Sequence, residues 1–203
     1  CPDRSYLLLE SRKAMGGTWD LFRYPGIRSD SDMHTLGYSF KPWEGAKAIA
    51  DGPSILDYVR ETAAEHAVDQ HIRYGHRLLS ASWSSEQSIW TLEIRQSDSD
   101  KTVQMTCNFL YMCSGYYSYE TPHNPKFPEV DSFKGQVIRP QFWPDNLDYQ
   151  DKTVVIIGSG ATAMTLVPAM AKKAKQVTML QRSPTYVLSR PSEDWFANGL
   201  RKI

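Results

Sequence analysis

Three small residues in the last third of the chain have the spacing of a dinucleotide-binding turn. Gly158, Gly160 and Ala163 match the pattern G-x-G-x-x-G/A. In this pattern the first glycine permits a tight turn, and the second lets the backbone approach a pyrophosphate. The third small residue lets a helix pack on a strand. The chemistry that this spacing predicts is the binding of a dinucleotide pyrophosphate.

The residues around this turn predict the elements that must hold it. Thr153–Ile157 is a β-branched and apolar run typical of a fully buried parallel strand, and residues 161–173 are rich in helix formers. We therefore expect the pyrophosphate at a helix N-terminus, where free N–H groups and the helix dipole favour an anion.

The end of the next predicted strand, Gln176–Leu180, indicates which dinucleotide binds. Gln181, Arg182 and Ser183 follow it, roughly 20 residues beyond the glycines, where the ribose is recognised. In NAD-binding proteins an acid at this position accepts a hydrogen bond from the ribose 2′-hydroxyl. This chain has the guanidinium of Arg182 and the hydroxyl of Ser183 there instead, which predicts NADP rather than NAD. The alternative is an ordinary glycine turn, with Arg182 a solvated charge at a strand end.

The N-terminal segment predicts a second nucleotide site. Tyr6–Glu10 is an apolar run closed by an acid, as in the second strand of a dinucleotide-binding βαβ unit, whose carboxylate binds the ribose hydroxyls. Gly16 and Gly17 precede Trp19 and suit a loop whose backbone touches a ligand. The first strand and its glycines do not precede this segment, and Met is not the first residue, so we expect an internal fragment of a longer protein.

The middle of the chain predicts one helix and three strands. Apolar residues at helical spacing predict a helix over residues 54–67. The strand candidates are residues 72–83, the alternating residues 90–94, and residues 103–113. The last candidate ends in the apolar run Phe109–Cys113, which predicts a strand entering a buried parallel sheet.

A proline-rich stretch predicts the domain boundaries. Residues 115–144 contain five prolines and little periodicity, typical of a stiffened irregular connection. We expect an α/β fold with two Rossmann-like dinucleotide-binding domains, both truncated, and a small antiparallel β element. The predicted divisions are a partial domain for the N-terminal nucleotide at 1–117, the connection at 118–150 and a partial NADP-binding domain at 151–203.

Composition narrows the class of protein. The 203 residues include 23 Lys and Arg against 23 Asp and Glu, which gives no support for nucleic-acid binding. No apolar run reaches about 18 residues, so no membrane segment is expected, and no signal peptide is recognisable. The three cysteines form neither a C-x-x-C pair nor a metal-ligand cluster. We expect no metal and a reducing, cytoplasmic location.

Four motifs in this order resemble the class B flavoprotein monooxygenases. They are G-G-T-W-D, R-Y-P-G-I-R-S-D, L-Y-M-C-S-G-Y-Y and the late NADP fingerprint. The chain is most similar to the Baeyer-Villiger monooxygenases, in particular the ethionamide monooxygenase branch. Their signature F-x-G-x-x-x-H-x-x-x-W-P is matched at Phe133, Gly135, Trp143 and Pro144.

The resemblance implies that residues 1–117 are a partial FAD-binding domain and residues 151–203 a partial NADP-binding domain, with a hinge between them. In it, Glu10 holds the adenosine ribose of FAD, Leu78 lies near the adenine, and an acid, Asp30, lies close to both the flavin and the nicotinamide. Cys113–Gly115 forms the hinge between the domains. The cofactor-binding residues implied are Glu10, Thr18, Trp19, Asp20, Leu21, Arg28, Ser29, Asp30 and Leu78 for FAD, and Gly158, Ser159, Gly160, Ala161, Thr162, Ala163, Met164, Gln181, Arg182 and Ser183 for NADP.

The chain departs from the signature at one position. Arg139 replaces the histidine, and a guanidinium cannot change its protonation near neutral pH. The resemblance implies that this histidine links domain movement to cofactor handling, so Arg139 predicts less efficient coupling of NADPH oxidation to oxygen transfer. The alternative is that Arg139 simply hydrogen-bonds a phosphate or carboxylate.

The resemblance also implies the reaction. We expect an FAD- and NADPH-dependent monooxygenase that inserts one oxygen atom of O2 into ketones through a C4a-peroxyflavin, with possible sulfur oxidation of a sulfide. The family's catalytic arginine falls beyond Ile203, so the 203 residues alone are expected to be inactive and poorly stable. Rival interpretations are a flavin-containing N- or S-monooxygenase, a nucleotide-binding homologue with impaired turnover, and a disulfide reductase, which the cysteine spacing disfavours.

Overall fold

The computed structural model describes residues 3–200 as two compact units. The first contains residues 3–17 and Val59–Tyr117, and the second contains Thr18–Tyr58 and residues 118–200. The division predicted at residues 117 and 150 stays a prediction. The helix α3, Gly52–Glu65, begins and ends two residues earlier than expected, since Asp51 accepts hydrogen bonds from Ser54 and starts it.

The first unit contains two small sheets. The strand β1, Leu8–Leu9, runs parallel to β2, Ile72–Arg73, so the run predicted over residues 6–10 is regular only at its centre. The three-stranded antiparallel sheet has the order β3, β4, β5, with bounds His76–Ser84, Ile89–Gln96 and Lys101–Cys107. Ile94 is fully buried and Leu92 nearly so, as the alternation in β4 predicts.

The prediction of a buried strand at Phe109–Cys113 is wrong for this structure. The strand β5 ends at Cys107, and no strand among residues 3–200 pairs with the run that follows. Phe109 is 79% exposed and Tyr111 is 77% exposed. A parallel strand is buried only where neighbouring strands and covering helices supply its surroundings. The run therefore has the composition of a core strand without the partners that would bury it.

The second unit is built around a parallel strand pair and one helix. The strand β6, Thr153–Ile157, pairs in parallel with β7, Gln176–Leu180, and α4, Ala161–Met170, connects them. The strand bounds are those expected. However, Val155 and Ile157 are more than half exposed, so β6 is covered on one face and not fully buried.

One core joins the early part of the chain to this βαβ unit. Short helices, α1 at Thr18–Leu21 and α2 at Met33–Leu36, lie in the segment that precedes α3, and α5 spans Trp195–Leu200. Residues of the early segment pack on α4 and β6; the buried cluster is Phe22, Tyr24, Ile156, Ala163, Leu166 and Met170. The spacing of Ala163, Leu166 and Met170 places them on one face of the helix.

Candidate functional site

The predicted dinucleotide turn has the backbone that its glycines allow. Gly158 follows β6 with φ of +126°, in a region that side chains rarely adopt. Its N–H donates to the carbonyl of Leu180 (2.8 Å), which ties the turn to the end of β7. Gly160 is the N-cap of α4 and has ordinary extended dihedrals, φ −77° and ψ 179°. The tight turn is therefore at Gly158, whereas the backbone conformation at position 160 is one that any residue could adopt.

Space is left open above both glycines. A Cβ built on Gly158 or on Gly160 meets no atom within 4 Å. The N-cap glycine cannot cap the helix with a side chain, and the first turn of α4 contains no acidic residue. The N–H groups at this ten-residue helix's start, together with its dipole, favour an anion. This geometry fits a dinucleotide pyrophosphate.

The loop that follows β7 is tied to the glycine turn. The hydroxyl of Thr185 donates to Ser159 Oγ over 3.1 Å. Gln181, Arg182 and Ser183 are exposed in the same loop. The structure thus joins, through one hydroxyl pair, the predicted pyrophosphate turn and the predicted ribose-binding residues. Sequence reasoning missed Thr185, because a Ser–Thr contact across 26 positions leaves no local pattern.

The alanine and the residues beside it divide between core and surface. Ala163 is buried against β6, as its role in helix packing requires. Ala161 is exposed, and Thr162 and Met164 are half-buried. The small residue is therefore needed for packing, whereas Ala161 and Thr162 lie at the open start of the helix.

The segment predicted to lie beside the flavin places a serine inward. Arg28 and Asp30 are exposed, while Ser29 between them is only 3% exposed. The Ser29 N–H donates to the Ala50 carbonyl over 2.9 Å, yet its Oγ has no hydrogen-bond partner among the described residues. Buried polar atoms are nearly always paired, and an orphan needs an explanation. One such explanation is that the Ser29 hydroxyl hydrogen-bonds a ligand.

The remaining residues of the predicted FAD site have structural contacts of their own. In the second unit, Asp20 is buried and lies 3.7 Å from Arg23 Nη2, within the turn that also holds Thr18, Trp19 and Leu21. In the first unit, Glu10 Oε1 accepts from the Arg12 N–H (2.8 Å) at the end of β1. Leu78 is half-buried in β3, beside a β-bulge.

Glycines shape the loop after Glu10. Gly16 and Gly17 have φ of +111° and +49°, and the Gly17 carbonyl accepts from Arg12 Nη1 over 3.2 Å. Glycine adopts these positive φ values without strain, and its lack of a Cβ leaves the loop backbone open to the close approach of a ligand. The burial of Tyr74 in the same unit, together with the nearby carboxylates of Asp69 and Glu10, raises the pKa of its phenol above the usual value.

Arg139 has a neutral partner in this structure. Its Nη2 donates to Asn124 Oδ1, and its backbone begins the 3₁₀ turn Pro140–Phe142. Gln141, which is buried, donates from Nε2 to the Ser118 carbonyl over 2.6 Å. The signature segment is therefore fastened at two points to residues 118–124. In this structure Arg139 donates to an amide oxygen, and the simpler interpretation, in which it hydrogen-bonds a phosphate or carboxylate, stays a prediction.

The other signature residues differ in burial. Trp143 is half-buried and meets Tyr149 edge-on, with ring centroids 6.4 Å apart, at the margin of the core. Phe133 is exposed and its ring covers Gly135, where a Cβ would lie 2.5 Å from Phe133 Cζ. Pro144, next to Trp143, is exposed.

The described residues contain neither a membrane-spanning helix nor a cluster of metal ligands. Within residues 3–200, no helix is long and apolar enough to cross a membrane. The same residues contain no group of three or more His, Cys, Asp or Glu side chains that could hold a metal ion.

Comparison with known proteins identifies relatives of this arrangement. The family model described as FMO-like, flavin-binding monooxygenase-like, matches residues 46–200. The chain is 55% identical over 203 residues to the FAD-containing monooxygenase EthA of Mycobacterium tuberculosis, covering all of this chain and 41% of EthA. The chain thus spans less than half the length of this curated relative.

Solved structures give the same relationship. The crystal structure of OTEMO in complex with FAD and NADP matches 89% of this chain and 34% of its own chain, with a TM-score of 0.71 and 32% identity. Oxidised steroid monooxygenase bound to NADP matches 97% of this chain and 38% of its own, with a TM-score of 0.79 and 29% identity. The expected α/β fold of FAD- and NADP-binding monooxygenases is confirmed.

Proposed function

We propose that this chain, which belongs to the flavin-binding monooxygenase-like family, takes part in an FAD- and NADPH-dependent monooxygenation. The observation that supports this most directly is the open glycine turn at the start of α4. Its space, its helix N-terminus and the exposed Arg182 loop tied to it together fit NADP. A structural relative in complex with both FAD and NADP agrees in fold.

For NADP, we assign a separate task to each part of the turn. The backbone of Gly158–Met164 binds the pyrophosphate, and the tight turn at Gly158 orients the N–H groups of α4. Arg182 and Ser183 bind the 2′-phosphate, since a guanidinium pairs well with phosphate oxygens. Gln181 lies with them at the end of β7 and contributes to the same pocket.

For FAD, the residues present also fit. The positive-φ loop at Gly16–Gly17 allows close approach, and Ser29 offers a buried hydroxyl without a partner. We assign Glu10 to the adenosine ribose, Leu78 to the adenine surroundings, and Thr18–Leu21 to the flavin side. FAD, when bound, supplies an acceptor for the hydride of NADPH and the centre at which O2 is activated.

Arg28, Ser29 and Asp30 are the residues that act on the reacting region. The exposed charges of Arg28 and Asp30 set the local field around the flavin and the nicotinamide. The Ser29 hydroxyl donates a hydrogen bond that fixes one polar atom of the ligand. The substrate class that we propose is a ketone converted to an ester or lactone, with O2 as co-substrate, by a protein in the reducing cytoplasm.

The experiment is a product assay on the full-length protein. We expect bound FAD and NADPH-dependent conversion of a simple cyclic ketone to its lactone, with one oxygen atom taken from ¹⁸O2. Conversion of a sulfide while every ketone tested stays unchanged would replace this proposal with an N- or S-monooxygenase. Full-length protein that binds no FAD would overturn it altogether.

A second candidate is a nucleotide-binding homologue with impaired turnover. Its support is the Arg139–Asn124 contact, where a permanent cation stands at the position of the signature histidine. In that case NADPH oxidation continues while little substrate is oxygenated. The ratio of product formed to NADPH consumed separates the two candidates, since values near one exclude impaired coupling.

A further inference from the structure

A tight turn at residues 24–27 packs directly against the helix α4. Tyr24, Pro25, Gly26 and Ile27 form a β-turn in which the Ile27 N–H donates to the Tyr24 carbonyl over 3.3 Å. Gly26 has φ of +85°, as the third residue of a type II turn requires. The Pro-Gly pair predicts such a turn, but nothing local in the sequence predicts what the turn touches.

The touching surface is the flank of α4. A Cβ built on Gly26 would lie 2.4 Å from the backbone oxygen of Thr165 and 2.7 Å from Ala169 Cβ. The first of these atoms belongs to the helix backbone and cannot rotate away. Thr165 is also buried and its Oγ1 lies 3.5 Å from the Tyr24 hydroxyl. The turn is therefore seated on the helix with no room for a side chain.

The same turn leads directly into the segment assigned to the cofactors. The Ile27 carbonyl accepts from the Gly52 N–H, and the Ser29 N–H donates to the Ala50 carbonyl, each over 2.9 Å. Residues 27–29 are thus held on one side by Ala50 and by Gly52, the first residue of α3. On the other side they follow a turn that is fixed to α4, about one helical turn from the start of that helix.

We propose that Gly26 is a positioning residue, whose contact with Thr165 and Ala169 fixes residues 28–30 relative to the NADP-binding turn. The inference rests on the proposed function and adds a determinant that lies outside both cofactor sites. Gly26 lies against the backbone of α4. Its role is to let one rigid element, α4, set the place of both the pyrophosphate turn and the Ser29 segment.

The size of the expected effect follows from the geometry. Ordinary van der Waals contact for a Cβ begins at 3.4 Å, so Gly26→Ala must move the turn about 1.0 Å from the Thr165 oxygen, the difference between 3.4 and 2.4 Å. A misplacement of about 1 Å can slow a reaction by about 100-fold. We expect hydride transfer from saturating NADPH to slow by about 10- to 100-fold per bound FAD.

The test uses the full-length holoenzyme and four variants. Gly26→Ala and Ala169→Val crowd the contact from its two sides. Gly75→Ala is the control for a left-handed glycine, because a Cβ there meets nothing closer than 3.6 Å. Ala171→Val places the same added carbons at an exposed site just beyond α4.

Two measurements decide the outcome. Stopped-flow absorbance gives the flavin reduction rate per bound FAD with saturating NADPH, and dithionite reduction provides the rate that needs no nicotinamide. Hydrogen exchange of residues 22–30 in protein without NADP reports the seating of the turn directly. We expect both crowding variants to slow the NADPH reaction and to speed exchange, while both controls and all dithionite rates stay within twofold of wild type.

Each contrary result has a distinct meaning. Wild-type protein that is not reduced by NADPH contradicts the proposed function. Wild-type protein that is reduced, together with crowding variants that react at the wild-type rate per bound FAD, overturns the role of Gly26. If Gly26→Ala does not fold, Ala169→Val decides by the same criterion; if neither variant retains FAD, the contact serves folding and the positioning role is rejected.

Discussion

Gly160→Ala separates the cofactor role of the glycine turn from its role in folding. Gly160 has φ −77° and ψ 179°, which alanine adopts without strain, and its added Cβ meets no atom within 4 Å. Loss of a glycine from the unfolded chain stabilises by about 0.4–1 kcal/mol, and alanine at an N-cap costs about 0.5–1 kcal/mol relative to glycine. The two effects nearly cancel, so we expect the free energy of unfolding to change by less than about 0.5 kcal/mol.

Binding of NADP responds differently to the same substitution. The added methyl group occupies the open space that the pyrophosphate needs in order to reach the backbone. Loss of one N–H contact to a charged phosphate costs about 1.5–3 kcal/mol. The expected dissociation constant for NADP therefore rises by about 10- to 150-fold.

The assay is calorimetric titration of the full-length protein with NADP, alongside urea unfolding without the nucleotide. Gly199→Ala is the matched control, because its Cβ also meets nothing within 4 Å but lies in α5. NADP affinity equal to wild type in Gly160→Ala refutes the assignment of the pyrophosphate to this turn. A large loss of stability of Gly160→Ala without nucleotide refutes the conclusion that alanine fits the backbone conformation at this position.

Three further substitutions test the remaining assignments. Arg182→Gln removes the cation from the ribose end, and we expect the preference for NADPH over NADH, measured as the ratio of kcat/KM values, to fall by about 10- to 100-fold; an unchanged ratio contradicts the 2′-phosphate role. Burial alone would raise the pKa of the Asp51 carboxyl, but the hydrogen bonds from Ser54 and the charge of Lys47 outweigh it and hold the pKa below its ordinary value of 3.8. The carboxylate therefore stabilises the fold above pH 3.8, and this stabilisation is lost as the pH falls through the lowered pKa. Asp51→Ala should cost about 0.5–2 kcal/mol in urea unfolding at pH 7 and less at pH 2, and equal costs at both would contradict the charged cap. Arg139→His introduces a group that titrates near pH 6.5, so the product formed per NADPH should vary between about pH 5.5 and 7.5 in the variant and stay flat in wild type; a flat profile in both rejects a coupling role for this position.

The elements around the glycine turn could be predicted because their signals are local. The bounds of β6 and β7 are those expected, since β-branched runs and flanking glycines act over a few residues. The helix between them ends at Met170, three residues early. There the Lys173 and Ala174 N–H groups both donate to the Met170 carbonyl and close the last turn.

The apolar run after β5 shows where a local signal stops. Composition indicates that Phe109–Cys113 suits a buried strand, but burial depends on which strands lie beside it. In residues 3–200 the run has no strand partner, and its aromatic side chains face solvent. A sequence pattern thus predicts the preference of a segment, whereas its neighbours decide whether the preference is met.

The contacts that organise the candidate site were the hardest to predict, because they join distant parts of the chain. Gly26 meets Thr165, and Ser159 meets Thr185, through surfaces that no periodic pattern encodes. The family motifs indicated that Ser29 belongs to the cofactor region, but not that its hydroxyl is buried without a partner. That property depends on the tertiary structure around Ser29, whose N–H donates to the distant Ala50 carbonyl.

Gly26 and Arg139 each hold a segment of the second unit through a contact whose strength does not depend on a protonation change near neutral pH. Gly26 acts through steric contact with a helix backbone, and Arg139 through a permanent cation on the amide of Asn124. If these contacts position the cofactor residues, the use of NADPH should be insensitive to pH near neutrality at both places. Arg139→His alters this at one place only, whereas Gly26→Ala alters geometry without adding a titrating group. We expect the product formed per NADPH to become pH-dependent in Arg139→His, and flavin reduction by NADPH to be slow at every pH in Gly26→Ala. That pair of results would show that the Arg139 contact acts through charge and the Gly26 contact through geometry.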